Sequence, residues 1–405
     1  MSPTELSDLH LPSAARTFCK LLDRLDTGTL TFTMPSGRVV HLVGTHPGPT
    51  ADLTLRDWAV AEELLRTADV GLGECFRDGR VETTNLTSLL CFCAANERAL
   101  AAYFYARPIA AAWLWLKHQW RANTRRQARR NNAAHYDLSN EFYALWLDST
   151  MTYSSALFNT EDRHPQADTL SAAQTAKYAR IIAELNPQPG AHLLEIGCGW
   201  GGFAEYAARS HGLKVTGITL SEAQLTYANA RIVRANLQDS VKFALIDYRD
   251  VEGTFDHVVS IEMFEAVGER YWRTYFKTLQ QRLRPGGRAV VQAITITGSA
   301  FRRYRRNSDF IREYIFPGGM LAPVERMMED ATKAGLHVSP PHRFGADYAQ
   351  TLRIWHQRVI AVSHKIEALG FDRRFQRLWQ FYLNYCEAGF RSGRTDVIQL
   401  TLARH

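Results

Sequence analysis

Leu193-Leu194-Glu195-Ile196-Gly197-Cys198-Gly199-Trp200-Gly201-Gly202 runs from an apolar strand into a loop with four glycines in six positions. It reads as the first strand and turn of a nucleotide-type α/β domain. Glycine carries no Cβ, so such a loop turns sharply and approaches a ligand closely. It also presents free N–H groups at the start of the next helix, whose dipole favours an anionic group. Gly197, Gly199 and Gly202 satisfy G-x-G-x-x-G, a spacing shared by dinucleotide and S-adenosylmethionine (SAM) sites. The following strand, 213–219, ends in Thr219-Leu220-Ser221 and not in the acidic residue that would hold an NAD ribose, which favours SAM.

Outward from that loop, strands and helices alternate as in a doubly wound, Rossmann-like α/β sheet. Helices are expected at 203–209, 221–236 and 271–283, and strands at 241–246, 255–261 and 288–296, the last launched by Pro285-Gly286-Gly287. Ligands in such sheets lie at the carboxyl ends of the strands, which gathers Thr219, Asp247, Tyr248, Glu262 and Glu265 on one edge with the glycine loop. The first hundred residues differ in texture. Strands at 30–34 and 39–43 flank a Ser36-Gly37 turn, and 53–68 has helical apolar spacing. This predicts a small α+β accessory domain at 1–120, for lipid presentation or homodimer formation, then a basic linker at 121–134 and a catalytic domain at 135–405.

A chain of 405 residues with 46% hydrophobic content sustains more than one core. Six cysteines without paired C-x-x-C clusters point to a reducing compartment and to no metal, with Cys91 and Cys93 read as buried small residues. The N-terminus lacks a basic-then-apolar leader, so a cytoplasmic location is expected. The apolar stretch 99–116 is interrupted by Arg107-Pro108, which argues against a membrane span. Lys117, Arg121, Arg125, Arg126, Arg129 and Arg130 carry six of the net +7 charges, beside Trp113, Trp115 and Trp120. Such a cluster fits an anionic lipid surface, a nucleic-acid patch or a solvated linker helix.

Seven segments then occur in order: His135 to Asn140, Met151 to Ala156, Glu195 to Gly202, Gly217 to Ser221, Met263 to Gly268, Tyr314 to Gly319 and Phe344 to Tyr348. Together they resemble the cyclopropane-fatty-acyl-phospholipid synthases and mycolic acid methyltransferases, from about Arg130 to the C-terminus. The resemblance implies a SAM-dependent enzyme that methylates a cis double bond in an unsaturated phospholipid acyl chain, working peripherally at the inner membrane surface with no nucleic-acid partner. It places Tyr153 and Ser154 over the methionine part of SAM, and Glu195, Gly197, Gly199 and Gly201 in its loop. Thr219, Leu220 and Gln224 fall at the ribose, and Tyr248 and Arg249 at the adenine. It further implies a bound bicarbonate as general base, held by Glu265, the backbone of Ile294, Tyr348 and the positions of Ser155 and Gln292. Tyr314, Ile315, Phe316, Met320, Leu321, Leu352, Trp355, Val359 and Ile360 could wall an acyl tunnel, although helical spacing alone favours core packing. Arg302, Arg303, Arg305 and Arg306 could receive phosphates.

The chain departs from the family pattern where the base would sit. Tyr-Ser-Cys reads Tyr153-Ser154-Ser155, the histidine of Phe-Glu-His is Ala266, and the histidine expected on the strand after Gly287 is Gln292. Glutamine can hydrogen-bond an anion but cannot become cationic or relay a proton. The base is therefore expected to be weaker, displaced or absent, and the product methyl-branched and unsaturated. A strict cyclopropane synthase, a catalytically silent lipid-binding protein and a nucleic-acid methyltransferase are the rivals.

Overall fold

The computed structural model describes residues 11–104, 138–158 and 169–405. The basic cluster, its neighbouring tryptophans and His135-Tyr136-Asp137 lie outside the described residues. The chain divides into two compact units, one of residues 1–119, 306–315 and 359–393, the other of 120–305, 316–358 and 394–405. Residues 306–315 and 359–393, expected within a catalytic domain at 135–405, fall in the unit that holds the N-terminal residues.

In the first unit, β1 (Thr27–Thr33) and β2 (Val39–Val43) form the expected hairpin. Gly37 sits at φ 83° in its turn, a left-handed conformation that a residue without Cβ adopts freely. β3 (His46–Leu55) lies parallel to β1 on the other side, and β4 (Val81–Glu82) pairs with β3. The helix expected at 53–68 is thus corrected to a strand through Leu55 and a helix over Ala59–Thr67. Ala51, Leu53 and Leu55 are buried alternately, a period of two that three residues cannot distinguish from the start of a helical stripe. From the distant segments, helix Arg373–Arg391 brings Asn384 Oδ1 to 2.6 Å from the Thr87 hydroxyl. Phe310 packs 4.5 Å from Phe381, and a Cβ on Gly73 would lie 2.4 Å from the Phe310 ring.

The second unit is built on a sheet of β5 (His192–Ile196), β6 (Lys214–Thr219), β7 (Val241–Leu245), β8 (Phe255–Ile261), β9 (Leu283–Ile296), β10 (His337–Val338), β11 (His342–Arg343) and β12 (Thr395–Ala403). Its order is β7-β6-β5-β8-β9-β12-β10, parallel from β7 to β9 and antiparallel at β12. Leu193, Val215, Val259 and Val290 pack on one face with Ile181 and Phe203 of covering helices. Leu194, Ile218, Val258 and Val291 pack on the other with Trp272, Tyr275 and Phe276. Both faces of the central strands are buried, as a doubly wound parallel sheet requires. The chain runs from β5 outward through β6 to β7, then returns to β8 beside β5, so the crevice between the ends of β5 and β8 is the topological switch point.

Candidate active site

That crevice holds the glycine loop. Gly197 (φ 83°), Gly199 (φ 52°) and Gly201 (φ 81°) are all left-handed, and the N–H groups of Gly197 and Cys198 both donate to the Ile218 carbonyl at 2.9 and 3.0 Å. A Cβ on Gly201 would lie 2.9 Å from the Phe243 ring, so that glycine serves packing. A Cβ on Gly199 would meet nothing within 4 Å among the described residues, so that glycine has room beside it there. Glu195, buried one residue before the strand ends, has no hydrogen-bond partner for Oε2 among the described residues, and burial raises its carboxyl well above the usual range. Room at Gly199 and an unpartnered acceptor at Glu195 fit a ligand with donor groups, as SAM is.

The ribose candidates are assembled at the end of β6. The Thr219 hydroxyl donates to Gln224 Oε1 at 2.9 Å, and the Ser221 side chain accepts from the Gln224 N–H at 3.3 Å, capping helix Glu222–Arg234. Leu220 lies half-buried between them. Tyr248 is buried at the end of β7, with the Arg249 guanidinium 5.5 Å from its ring centre and 5.3 Å from that of Tyr271. Arg249 also forms a bidentate pair with Asp247, at 2.8 and 2.6 Å. The expected adenine neighbours are therefore together, with the arginine fork turned toward Asp247.

Deeper in the crevice, Glu262 collects the residues expected around bicarbonate. The backbone N–H of Ser155 and the Gln292 side-chain amide both donate to Oε1 at 2.8 Å, and the Tyr348 hydroxyl donates to Oε2 at 2.7 Å. Gln292 is itself oriented by Gln399 of β12, whose amide donates to its Oε1 at 3.1 Å. Glu262 adopts φ 50°, a conformation costing a non-glycine residue about 1–3 kcal/mol and concentrated at functional sites. Burial raises its carboxyl above the usual range, opposed by the Tyr348 hydrogen bond and by Lys177. Glu265 accepts from the Ile294 N–H through Oε1, while Oε2 has no hydrogen-bond partner among the described residues. Burial first, and the adjacent Glu262 second, push the Glu265 carboxyl up to about 8. At neutral pH Glu265 therefore keeps its proton, while the Tyr348 hydrogen bond and Lys177 favour the ionised form of Glu262.

Lys177 was not anticipated from the sequence. It is fully buried in helix Thr169–Leu185 and donates to Ser154 Oγ at 2.7 Å, while Gln174 donates to the Ser154 carbonyl at 2.9 Å. Burial lowers its ammonium to about 7, opposed by the charges of Glu262, Asp148 and Glu195. The available signal was two polar residues, Gln174 and Lys177, inside the buried stripe Leu170, Ala173, Tyr178, Ile181 and Leu185. Aromatic rings wall the same region. Tyr153 lies 5.3 Å from Trp355 and 5.7 Å from Trp146, and Trp355 lies 6.1 Å from Tyr348.

The tunnel residues separate. Leu352 and Trp355 are buried in the second unit, whereas Tyr314 donates to Glu74 within the first and Ile360 is exposed. Of the arginine group, Arg305 pairs with Glu269 at 2.6 Å.

A doubly wound sheet with a left-handed glycine loop, a Thr–Gln pair at the second strand end and buried carboxylates at the switch point defines a SAM-dependent methyltransferase. Residues 123–400 match the family model described as mycolic acid cyclopropane synthetase, and the chain belongs to that family. It is 40% identical over 351 residues to the tuberculostearic acid methyltransferase UfaA1 of Mycobacterium tuberculosis, covering 85% of this chain and 81% of that one. It is 33% identical to the cyclopropane-fatty-acyl-phospholipid synthase of Escherichia coli, covering 87% and 88%. Among solved structures it is similar to mycolic acid cyclopropane synthase CmaA1 complexed with SAH and CTAB. That match has a TM-score of 0.63 and 31% identity over 68% of this chain and 98% of the other.

Proposed function

We propose that this chain transfers the methyl group of SAM to one carbon of a cis double bond in an unsaturated acyl chain carried by a membrane phospholipid, and that the product is methyl-branched and unsaturated. The observation that carries the reading is the aromatic cluster of Tyr153, Trp355 and Tyr348, with the Tyr348 hydroxyl donating to buried Glu262 at the strand end. SAM supplies an electrophilic methyl on a sulfonium leaving group. An alkene is a weak nucleophile, so the protein's part is to align it with that methyl and exclude water. The positive charge left on the neighbouring carbon suits π faces and an ionised carboxylate. Gln292 in place of a protonatable side chain supports a product other than the ring. So does the 40% identity to a relative named as a methyltransferase, against 33% to one named as a cyclopropane synthase.

The experiment is incubation with methyl-labelled SAM and liposomes of unsaturated or fully saturated phospholipid, followed by mass spectrometry and NMR of the released chains. Label confined to the unsaturated lipid, with a vinylic branch, is expected. Absence of label overturns the activity, and a cyclopropane methylene as the dominant signal overturns the product.

Among the described residues no helix is long and apolar enough to cross a membrane. Peripheral attachment through the basic cluster supports access to lipid, each Lys or Arg contributing about 1 kcal/mol at an anionic surface. Replacing Arg125, Arg126, Arg129 and Arg130 by glutamine is expected to weaken sedimentation with phosphatidylglycerol vesicles at least about tenfold at low salt, with SAM affinity unchanged. Equal vesicle binding by the two proteins would place the contact elsewhere.

A further inference from the structure

We infer that Glu262 is the general base of the reaction, its carboxylate standing in the seat where related enzymes are expected to hold a bicarbonate. The inference rests on the proposed alkene methylation and deepens it. Bicarbonate needs unoccupied donors, and among the described residues the expected N–H groups and the Tyr348 hydroxyl are already taken. The Ser155 N–H, the Gln292 amide and the Tyr348 hydroxyl all end on Glu262, and the Ile294 N–H ends on Glu265. The Ser155 hydroxyl is turned away as well, donating to the Ala156 carbonyl at 2.9 Å. The residues present therefore do not fit bicarbonate. They fit one carboxylate, supplied by the chain.

The backbone gives a second, independent observation. Glu262 follows directly on β8 at φ 50°, where glycine is the residue favoured. The Glu262 N–H is fixed by the Gln292 carbonyl at 2.8 Å, so β9 holds both ends of this residue, main chain and side chain. A strained glutamate whose carboxylate is oriented by donors from a loop, a strand and helix Gly345–Ala361 is preorganised to accept a proton without rearrangement.

The chemistry balances. Methyl transfer breaks the S–CH3 bond and forms a C–C bond with the alkene π pair, leaving positive charge on the adjacent carbon. Glu262 takes a proton from a carbon next to that charge, and the freed C–H pair becomes the new C=C bond. The proton leaves to solvent between turnovers. Glu265 does not compete, since it holds its own proton near neutrality, its carboxyl being pushed up to about 8. The groups facing Glu262 are Lys177 from helix Thr169–Leu185, Gln292 on β9, Glu265 after β8, Tyr348 and the Ser155 N–H. Glu195 faces Lys177 in turn. Lys177, after the Tyr348 hydrogen bond, favours the ionised form of Glu262, and it acts as a positioning residue through its charge.

Glu262→Gln keeps the shape and removes the base, so kcat on unsaturated phospholipid liposomes is expected to fall at least about a hundredfold with SAM affinity unchanged. Glu262→Gly relieves the backbone and opens the seat; its low activity is expected to rise at least about tenfold on adding millimolar bicarbonate or formate, to which wild type is indifferent. Lys177→Met is expected to move the acid limb of the kcat profile to higher pH, because loss of the cation raises the Glu262 carboxyl further and the base is lost as pH falls through that value. Wild-type activity that disappears in bicarbonate-depleted buffer and returns on its addition overturns the inference, as does a Glu262→Gln variant within about threefold of wild type. If wild type methylates no lipid in any buffer, the functional reading fails instead. The anion seat is then read by 13C NMR of labelled bicarbonate, where binding to Glu262→Gly but not to wild type is expected. Equal binding to both overturns the assignment.

Discussion

Gly199→Asp is expected to weaken SAM binding at least about a hundredfold, roughly 2.7 kcal/mol, while leaving a folded protein. Gly199 is left-handed at φ 52°, a conformation aspartate tolerates better than most residues, and its Cβ would meet no atom of the described residues within 4 Å. The fold therefore has little reason to change. Gly199 lies in the loop that leads into helix Gly202–His211, two residues before the Gly201 N-cap. A new carboxylate there occupies the volume a ligand needs and takes over the donors an anionic ligand group would use. Gly201→Ala is the contrast: its Cβ would press on Phe243 and Ala228, so thermal stability should fall with affinity less affected. Calorimetric titration and thermal melts of both variants decide the matter. Unchanged SAM affinity in a folded Gly199→Asp variant removes the basis for placing the cofactor at this loop.

The two glycines show what the sequence made legible. The loop, the strands near it and the helix after it follow from composition and period, because Leu193 to Gly202 combines a buried strand with residues that only a turn requires. The carboxyl-end rule then gathered Thr219, Asp247, Tyr248, Glu262 and Glu265 before any side chain was placed. What stayed hidden depends on contacts between residues far apart in the chain. β12 is buried along nearly its whole length, so it shows no alternation, and its antiparallel place beside β9 follows only from pairing Thr395 to Ala403 with Arg288 to Ile296. Helix Arg373–Arg391 has a plain amphipathic stripe, but a stripe does not say that Thr87 and Phe76 are its neighbours. Arg249 was placed by motif position, while its fork is directed by Asp247, two residues away.

The departures at Ser155 and Gln292 were legible as departures; their meaning was not. Read alone they suggest a weakened anion site. With Glu262 in place they are the fittings of a different one, since a neutral amide at 292 donates to a carboxylate permanently and needs no protonation to do so.

The product is the sharpest consequence. Ser155→Cys with Gln292→His leaves the seat filled, because the donor at 155 is the backbone N–H and survives the exchange, as does the Tyr348 hydroxyl. That pair of substitutions is therefore expected to lower activity and keep a branched product. Adding Glu262→Gly withdraws the carboxylate, suits φ 50°, and frees the 155 N–H, the Tyr348 hydroxyl and the imidazole introduced at 292 to hold an external anion. A small anion in that seat is no longer tethered to the strand end and can reach the newly added methyl, whose proton must leave for the ring to close. The triple variant in bicarbonate buffer is expected to turn the cyclopropane from a minor into the dominant product, read from the cyclopropyl methylene protons in NMR of extracted lipids. A triple variant that binds labelled bicarbonate, turns over and still yields only the vinylic branch would locate control of the product in the shape of the acyl site, beyond the reach of the base.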